Sequence, residues 1–198
     1  MRKAGFRDDV TLGAMVFALA LYFSPTALSA QNGQATAAPN KPALTPSQTL
    51  LESWNYVGRK LIAMAEDFPE NKYDFKPNPA QRSFAEQLLH AAGANYFFTN
   101  PAMGQKPPAV EDPKRDQYKT KADVVAFVKK SFADGAEAIK AKGDSGLNDL
   151  VVDPDSHQQV RIVDMANGLI EHSGEHYGQL VVYYRVAGLV PPESRPKK

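Results

Sequence analysis

The chain has 198 residues, with 23 basic and 22 acidic side chains, four histidines and no cysteine. This near-neutral balance disfavours nucleic-acid binding through a basic surface. Without cysteine the sequence has no disulfide, no thiolate metal ligand and no cysteine nucleophile, so nitrogen and oxygen atoms would have to hold any metal.

The first 30 residues have the order of a Sec signal peptide, with basic side chains, a short apolar run and then small residues. The apolar run, residues 12–23, is too short to span a bilayer comfortably, and no cysteine follows it to carry a lipid. We therefore expect cleavage near Ala30, export to the periplasm or the medium, and no stable membrane anchor. Residues 31–44 are rich in alanine, proline and polar residues and are expected to form a flexible leader.

Four segments with helical periodicity follow within residues 45–192, a length that suits one domain with a single core. Their start and stop signals place the helices, in chain order, between Thr45 and Pro69, Ser83 and Pro101, Thr120 and Gly143, and Ile162 and Gly188. Of the remaining residues, Val151 and Val152 suggest a short extended piece. The pattern predicts an all-α four-helix bundle with a polar tail, residues 193–198.

Two connections, residues 69–82 and 101–119, are long for a minimal up-down bundle. Both contain proline and polar residues. Loops of this length either cross over the bundle or build a site at its end. We expect a small-molecule substrate to enter between residues 101–119 and the later connection around residues 143–156.

The histidines of the helical segments are candidate metal ligands. His172 and His176 lie four residues apart on the apolar stripe of the fourth helix, where neighbouring imidazoles can reach one metal ion. Burying such rings without partners costs about 1 to 3 kcal/mol each, and a shared metal would pair them. His90 on the second helix is the candidate third ligand, and three protein ligands would leave positions for water or substrate. A neutral imidazole is a good ligand for zinc, nickel, copper and iron. Zinc and nickel are the first candidates for this divalent metal.

Two other interpretations of residues 172–176 remain open. In one, both rings are ordinary bundle histidines that are hydrogen bonded to glutamate or tyrosine. In the other, the segment matches H-x-x-E-H, the inverted zincin motif, but that class has a much larger architecture and is not expected here. Glu175 is kept as a candidate catalytic residue that would polarise a water at the metal, with an exposed helix-face glutamate as the alternative.

Two parts of the chain carry a family resemblance. They are YDFKP at residues 73–77 with RSFAEQLLH at residues 82–90, and EHYGQL at residues 175–180 with YRVAGLVPP at residues 184–192. In order and spacing these segments resemble the DinB/YfiT-like family of metal-dependent four-helix bundles. The resemblance implies that His90, His172 and His176 form a metal triad with water completing the shell.

The resemblance also implies an enzyme class. Members of the wider superfamily look like transferases or isomerases that use a low-molecular-weight thiol, and such a thiol is therefore a possible partner. Because these thiols are chiefly cytosolic, the expected export makes a hydrolytic role more competitive. The alternative function is a non-catalytic metal-binding or structural bundle, and a homodimer is also compatible with a bundle of this size.

Overall fold

A computed structural model describes residues 42–109 and 112–196. The expected signal peptide, residues 1–30, and the leader up to residue 41 lie outside the described residues. Within the described ranges, the helices are α1 (Pro46–Asp67), α2 (Phe84–Ala102), α3 (Lys121–Gly146) and α4 (Ile162–Val186), and the strands are β1 (Leu150–Val152) and β2 (Gln159–Arg161). The predicted four-helix fold is confirmed.

The helices start at side chains that satisfy their free backbone N–H groups. Thr45, Ser83 and Thr120 each accept a hydrogen bond from the backbone of the third helical residue, whose own side chain bonds back to form a capping box. Helix α4 has no such side-chain cap and begins directly after β2. The sequence signals therefore located the first three helix starts to within a residue.

Two helix ends differ slightly from the expectation. Helix α2 continues through Pro101 to Ala102, since a proline in the last turn keeps a helical φ while it removes a single N–H donor. Helix α3 breaks at Gly143, where the sequence predicts its end, and then makes one more turn to Gly146. The φ of Gly143 is 58°, a left-handed value that favours glycine.

A small antiparallel hairpin precedes α4. Val151 pairs with Val160, and the neighbouring pairs are Leu150 with Arg161 and Val152 with Gln159. The sequence indicated the extended piece at residues 151–152, but its partner strand contains one apolar residue and gave no strand signal. The hairpin lies within the connection between α3 and α4.

Helices α1 and α2 lie diagonally across the bundle, and so do α3 and α4. Helices α1 and α2 both make their main contacts with α3 and α4. The connections from α1 to α2 and from α3 to α4 must therefore cross an end of the bundle, which explains their length. This arrangement brings α2 beside α4, and these two helices carry the three candidate ligands.

The core lies between the four helices and includes Trp54, which is fully buried. Its indole Nε1 donates a hydrogen bond to the backbone oxygen of Phe132 at 2.9 Å. The ring packs directly against Gly135 of α3, where a Cβ atom would lie 2.1 Å from the indole. Aromatic side chains that are buried in this way hold α1 against α3.

The end of the described chain is attached to α1. Residues Pro192–Ser194 form a single turn of 3-10 helix, and the Arg195 guanidinium donates to both carboxylate oxygens of Asp67, at 2.8 and 2.6 Å.

Within residues 42–109 and 112–196, none of the helices combines the length and apolar character that crossing a bilayer requires.

Candidate metal centre

The three candidate ligands converge in the structure. Nε2 of His172 lies 2.9 Å from Nε2 of His176 and 3.3 Å from Nε2 of His90. One ring nitrogen from each residue lies within 4.8 Å of the other two. The structure therefore brings the three predicted residues together, with His90 and His172 separated by 82 residues of sequence, and their role as metal ligands stays a prediction.

Local structure explains the convergence. His172 and His176 are one turn apart on α4, so their side chains stack along the same face. His90 points from the neighbouring helix α2 toward that face. His90 and His176 are 7% and 6% exposed, and His172 is half-buried, so the cluster lies just below the surface between α2 and α4.

The surroundings keep two of the rings neutral at pH 7. Burial, and to a smaller extent positive charge at His176, His90 and Arg82, lower the pKa of His172 to about 4. Burial also lowers the pKa of His176, although a hydrogen bond with Gln179 opposes this effect. A neutral imidazole is the form that binds a metal ion.

A carboxylate orients His90 from outside the cluster. Nδ1 of His90 lies 2.5 Å from Oδ1 of Asp112, and the Arg82 guanidinium donates to Oδ2 of Asp112 at 3.0 Å. Burial raises the pKa of Asp112, but the hydrogen bonds from Arg82 and His90 outweigh it and lower the pKa overall. An ionised Asp112 accepts the Nδ1 proton of His90, which leaves the Nε2 lone pair directed at the other histidines.

The side-chain oxygen of Gln179 orients His176 in a similar way. Nδ1 of His176 lies 3.0 Å from the side-chain oxygen of Gln179, and the Gln87 amide contacts both residues. When Nδ1 donates its proton to Gln179, Nε2 of His176 carries the lone pair. Metal-binding histidines commonly use such a partner on the second nitrogen, so the residues present fit a divalent metal with nitrogen ligands.

The other candidate residues lie away from this cluster. His157 is exposed in the β1–β2 turn, as its polar surroundings predict, and has a positive φ of 57°. Glu175 is exposed on α4, and its link to the cluster is a coulombic effect that raises the pKa of His176. The catalytic role of Glu175 stays a prediction.

Sequence reasoning missed the residues that orient the ligands. Gln87 and Gln179 each lie three residues from a candidate histidine, so helical spacing could have indicated them. Asp112 lies in the long connection between α2 and α3, 22 residues from His90, and has no local signal. This connection supplies a residue to the site, which is one of the two roles expected for it.

Comparisons with known proteins agree with this fold. The sequence model of the DinB superfamily matches residues 54–180. Comparison with curated proteins gave no match. Among solved structures, a DinB-like protein from Bacillus cereus superimposes with a TM-score of 0.61 at 18% identity, covering 72% of this chain and 93% of that protein.

Two further structures share the architecture. YfiT from Bacillus subtilis, described as a probable metal-dependent hydrolase with an unusual four-helix bundle topology, has a TM-score of 0.59 at 13% identity, covering 77% of this chain and 94% of that protein. A conserved protein from Enterococcus faecalis has a TM-score of 0.51 at 14% identity, covering 73% and 98%. These identities support the fold alone, whereas the sequence model covers more than half of the chain. The chain belongs to the DinB superfamily.

Proposed function

We propose that this protein is a metal-dependent hydrolase whose divalent metal is held by His90, His172 and His176. The observation that carries the proposal is the convergence of three imidazole nitrogens within 4.8 Å of one another. The description of YfiT as a probable metal-dependent hydrolase supports the same reaction class. Zinc and nickel remain the first candidates for the metal.

The chain contributes a prepared set of donors. Asp112 orients His90, Gln179 orients His176, and burial keeps His172 and His176 uncharged at pH 7. A divalent metal held by these three histidines would supply Lewis-acid chemistry, polarising a substrate and lowering the pKa of a water molecule. Three protein ligands leave positions for that water and for substrate, as in catalytic zinc sites.

Metal content of the purified protein is the first test. The protein is prepared without chelator or nickel affinity resin and compared with a His172→Ala/His176→Ala variant. We expect about one equivalent of metal in the wild type and almost none in the double variant. His157→Ala is the matched control, since it removes an exposed histidine outside the cluster and should keep the metal. No metal in the wild type, after zinc and nickel are also offered, would contradict the proposal.

Hydrolysis is tested on the protein loaded with each metal. Chromogenic esters, amides and phosphate esters are supplied with and without EDTA, and thiol transfer is assayed in parallel with glutathione. We expect turnover of a hydrolysable substrate that EDTA abolishes and that the double variant lacks. Stoichiometric metal without any turnover would favour the alternative, a bundle that binds metal without catalysis.

Glu175 is the proposed group that receives a proton from water. Glu175 immediately precedes His176 on α4, and its side chain is exposed to solvent. Glu175→Gln should lower kcat by about 100-fold or more while the metal content stays at one equivalent. Glu171→Gln, an exposed glutamate one turn earlier on the same helix, is the control. Equal kcat for both variants would remove Glu175 from the mechanism.

We also propose that the protein works outside the cytoplasm. This proposal depends on the basic, apolar and small-residue order of residues 1–30. N-terminal sequencing of protein from fractionated cells tests it, and a mature terminus near Gln31 in the exported fraction is expected. A terminus at Met1 in the cytosolic fraction would contradict export and favour a cytosolic thiol as cosubstrate.

A further inference from the structure

A cleft of about 340 Å³ leads away from the histidine cluster along α4. His172 forms one part of its wall, and α2, α4 and the β1–β2 hairpin form the rest. On α4 its lining runs from Asp164 to His172, a rise of about 12 Å at 1.5 Å per residue. The cleft therefore matches a small molecule that is longer than it is wide.

The middle of the cleft is apolar. Phe97 from α2, Met165 and Leu169 from α4, and Val160 from β2 contribute side chains to it. Small-molecule sites are usually apolar clefts of about 300 to 1,000 Å³ with a few polar groups at defined places. The cluster end supplies one polar group, His172, and the hairpin end supplies the others.

Negative charge is concentrated at the hairpin end. Asp153, Asp155 and Asp164 line the cleft, and no lysine or arginine is among its described lining residues. Arg161 neutralises Asp164 through two hydrogen bonds of 2.7 and 2.8 Å. Asp153 accepts hydrogen bonds from the Ser156 hydroxyl and the Asp155 backbone, and neither Asp153 nor Asp155 forms a salt bridge within the described residues.

We propose that this cleft is the substrate pocket of the histidine centre and takes a small molecule with an apolar body and an ammonium group. The cavity and its contact with His172 define the pocket, and the carboxylates select among ligands that fit it. The apolar body lies against Phe97 and Leu169, and the ammonium group lies near Asp153 and Asp155. The opposite end of the molecule then reaches His172. This inference rests on the proposed function, because it assigns the substrate class of that site.

Gly168 offers a way to close the cleft without disturbing the fold. It lines the cleft, and a Cβ atom built on it meets no atom within 4 Å. Gly168→Leu should therefore fill the pocket while it improves the helix propensity of α4. Gly178→Leu is the matched control, since Gly178 lies on the same helix, is exposed, has equal space and lines none of the described clefts.

Binding of three probes to the zinc-loaded full chain tests the proposal. The probes are 4-phenylbutylamine, 4-phenylbutanol and 4-phenylbutyrate, which share an apolar body and differ in charge, and calorimetry measures each Kd. We expect the amine to bind at least tenfold more tightly than the carboxylate. Gly168→Leu should weaken the amine at least tenfold, and Gly178→Leu should leave it unchanged.

Two results would overturn the inference. One is equal affinity for amine and carboxylate, and the other is unchanged amine binding in Gly168→Leu. Asp155→Asn gives a second test of the carboxylates. It should reduce the ratio of the Kd of 4-phenylbutanol to the Kd of 4-phenylbutylamine without changing the metal content. The binding assay is repeated on metal-free protein, so that loss of the proposed metal site and loss of the pocket give separate results.

Discussion

Single side chains outside the triad determine how two of the three imidazoles, those of His90 and His176, present their lone pairs. Asp112 accepts from His90, and Gln179 contacts His176, so each fixes which ring nitrogen holds the proton. The sequence indicated His172 and His176 as candidate ligands because their spacing follows the helix. It could not identify Asp112, since the position of a loop carboxylate depends on the path of the whole connection.

Asp112→Asn should weaken metal binding. An amide is a poorer acceptor than a carboxylate for the Nδ1 proton of His90, and loss of such a partner typically costs about 10- to 100-fold in affinity. The exposure of Asp112, 55% for its side chain, places the expected loss near the lower value. Competition with a chromogenic chelator measures the Kd for zinc.

Asp74→Asn is the matched control for that measurement. It removes a carboxylate from the pair with Arg115, at a side chain that is 74% exposed. An unchanged Kd in Asp112→Asn would mean that the hydrogen bond to His90 does not support metal binding.

The sequence predicted where the helices start better than it predicted how they pack. Thr45, Ser83 and Thr120 are local signals, and each lies at the start of a helix in the structure. The hairpin partner strand was missed because strand pairing is a non-local property of a few residues. The close contact of Gly135 with Trp54 was also invisible, since it requires the packing of α3 on α1.

Ser83→Ala should destabilise the protein by about 1 kcal/mol. Its side chain caps α2, the helix that carries His90, by accepting from the Glu86 backbone at 3.3 Å. Ser53→Ala is the control, because it makes the same chemical change at an exposed position inside α1. Urea unfolding measures both, and equal midpoints would show that the cap contributes nothing.

Gly135→Ala should be more damaging, with a loss of about 1 to 3 kcal/mol from overpacking. The added methyl would lie 2.1 Å from the fully buried indole of Trp54, so α1 and α3 must separate. Gly178→Ala has open space and should instead stabilise the protein by up to about 1 kcal/mol. The comparison uses urea midpoints, and stabilisation by both substitutions would contradict the close packing.

At the scale of the molecule, the bundle could be predicted but its arrangement could not. Four periodic segments of suitable length specify a helical bundle. The diagonal placement of α1 against α2, and of α3 against α4, depends on how the connections between them cross its ends, and no local pattern encodes that path. The convergence of His90 with α4 was expected only because a triad needs a third ligand.

A divalent metal that binds across α2 and α4 should stabilise the whole fold. A ligand at 100 times its Kd adds about 2.7 kcal/mol when it binds only the native state. For a domain of this size this corresponds to a rise in Tm of about 5 to 10 °C. Calorimetry with zinc and then with EDTA should show a reversible shift that His90→Ala abolishes and His157→Ala retains. An equal shift in all three proteins would indicate binding elsewhere.

The position of α2 beside α4 also determines when all three candidate ligands can meet. His90 and His172 are separated by 82 residues, so the entropic cost of closing that loop must be met before the third imidazole reaches the other two. A chain with only α4 formed would offer a metal two neighbouring imidazoles and not the third. Coordination by all three imidazoles would therefore follow the docking of α2 on α4, and the rate at which the folding chain captures metal would report that docking.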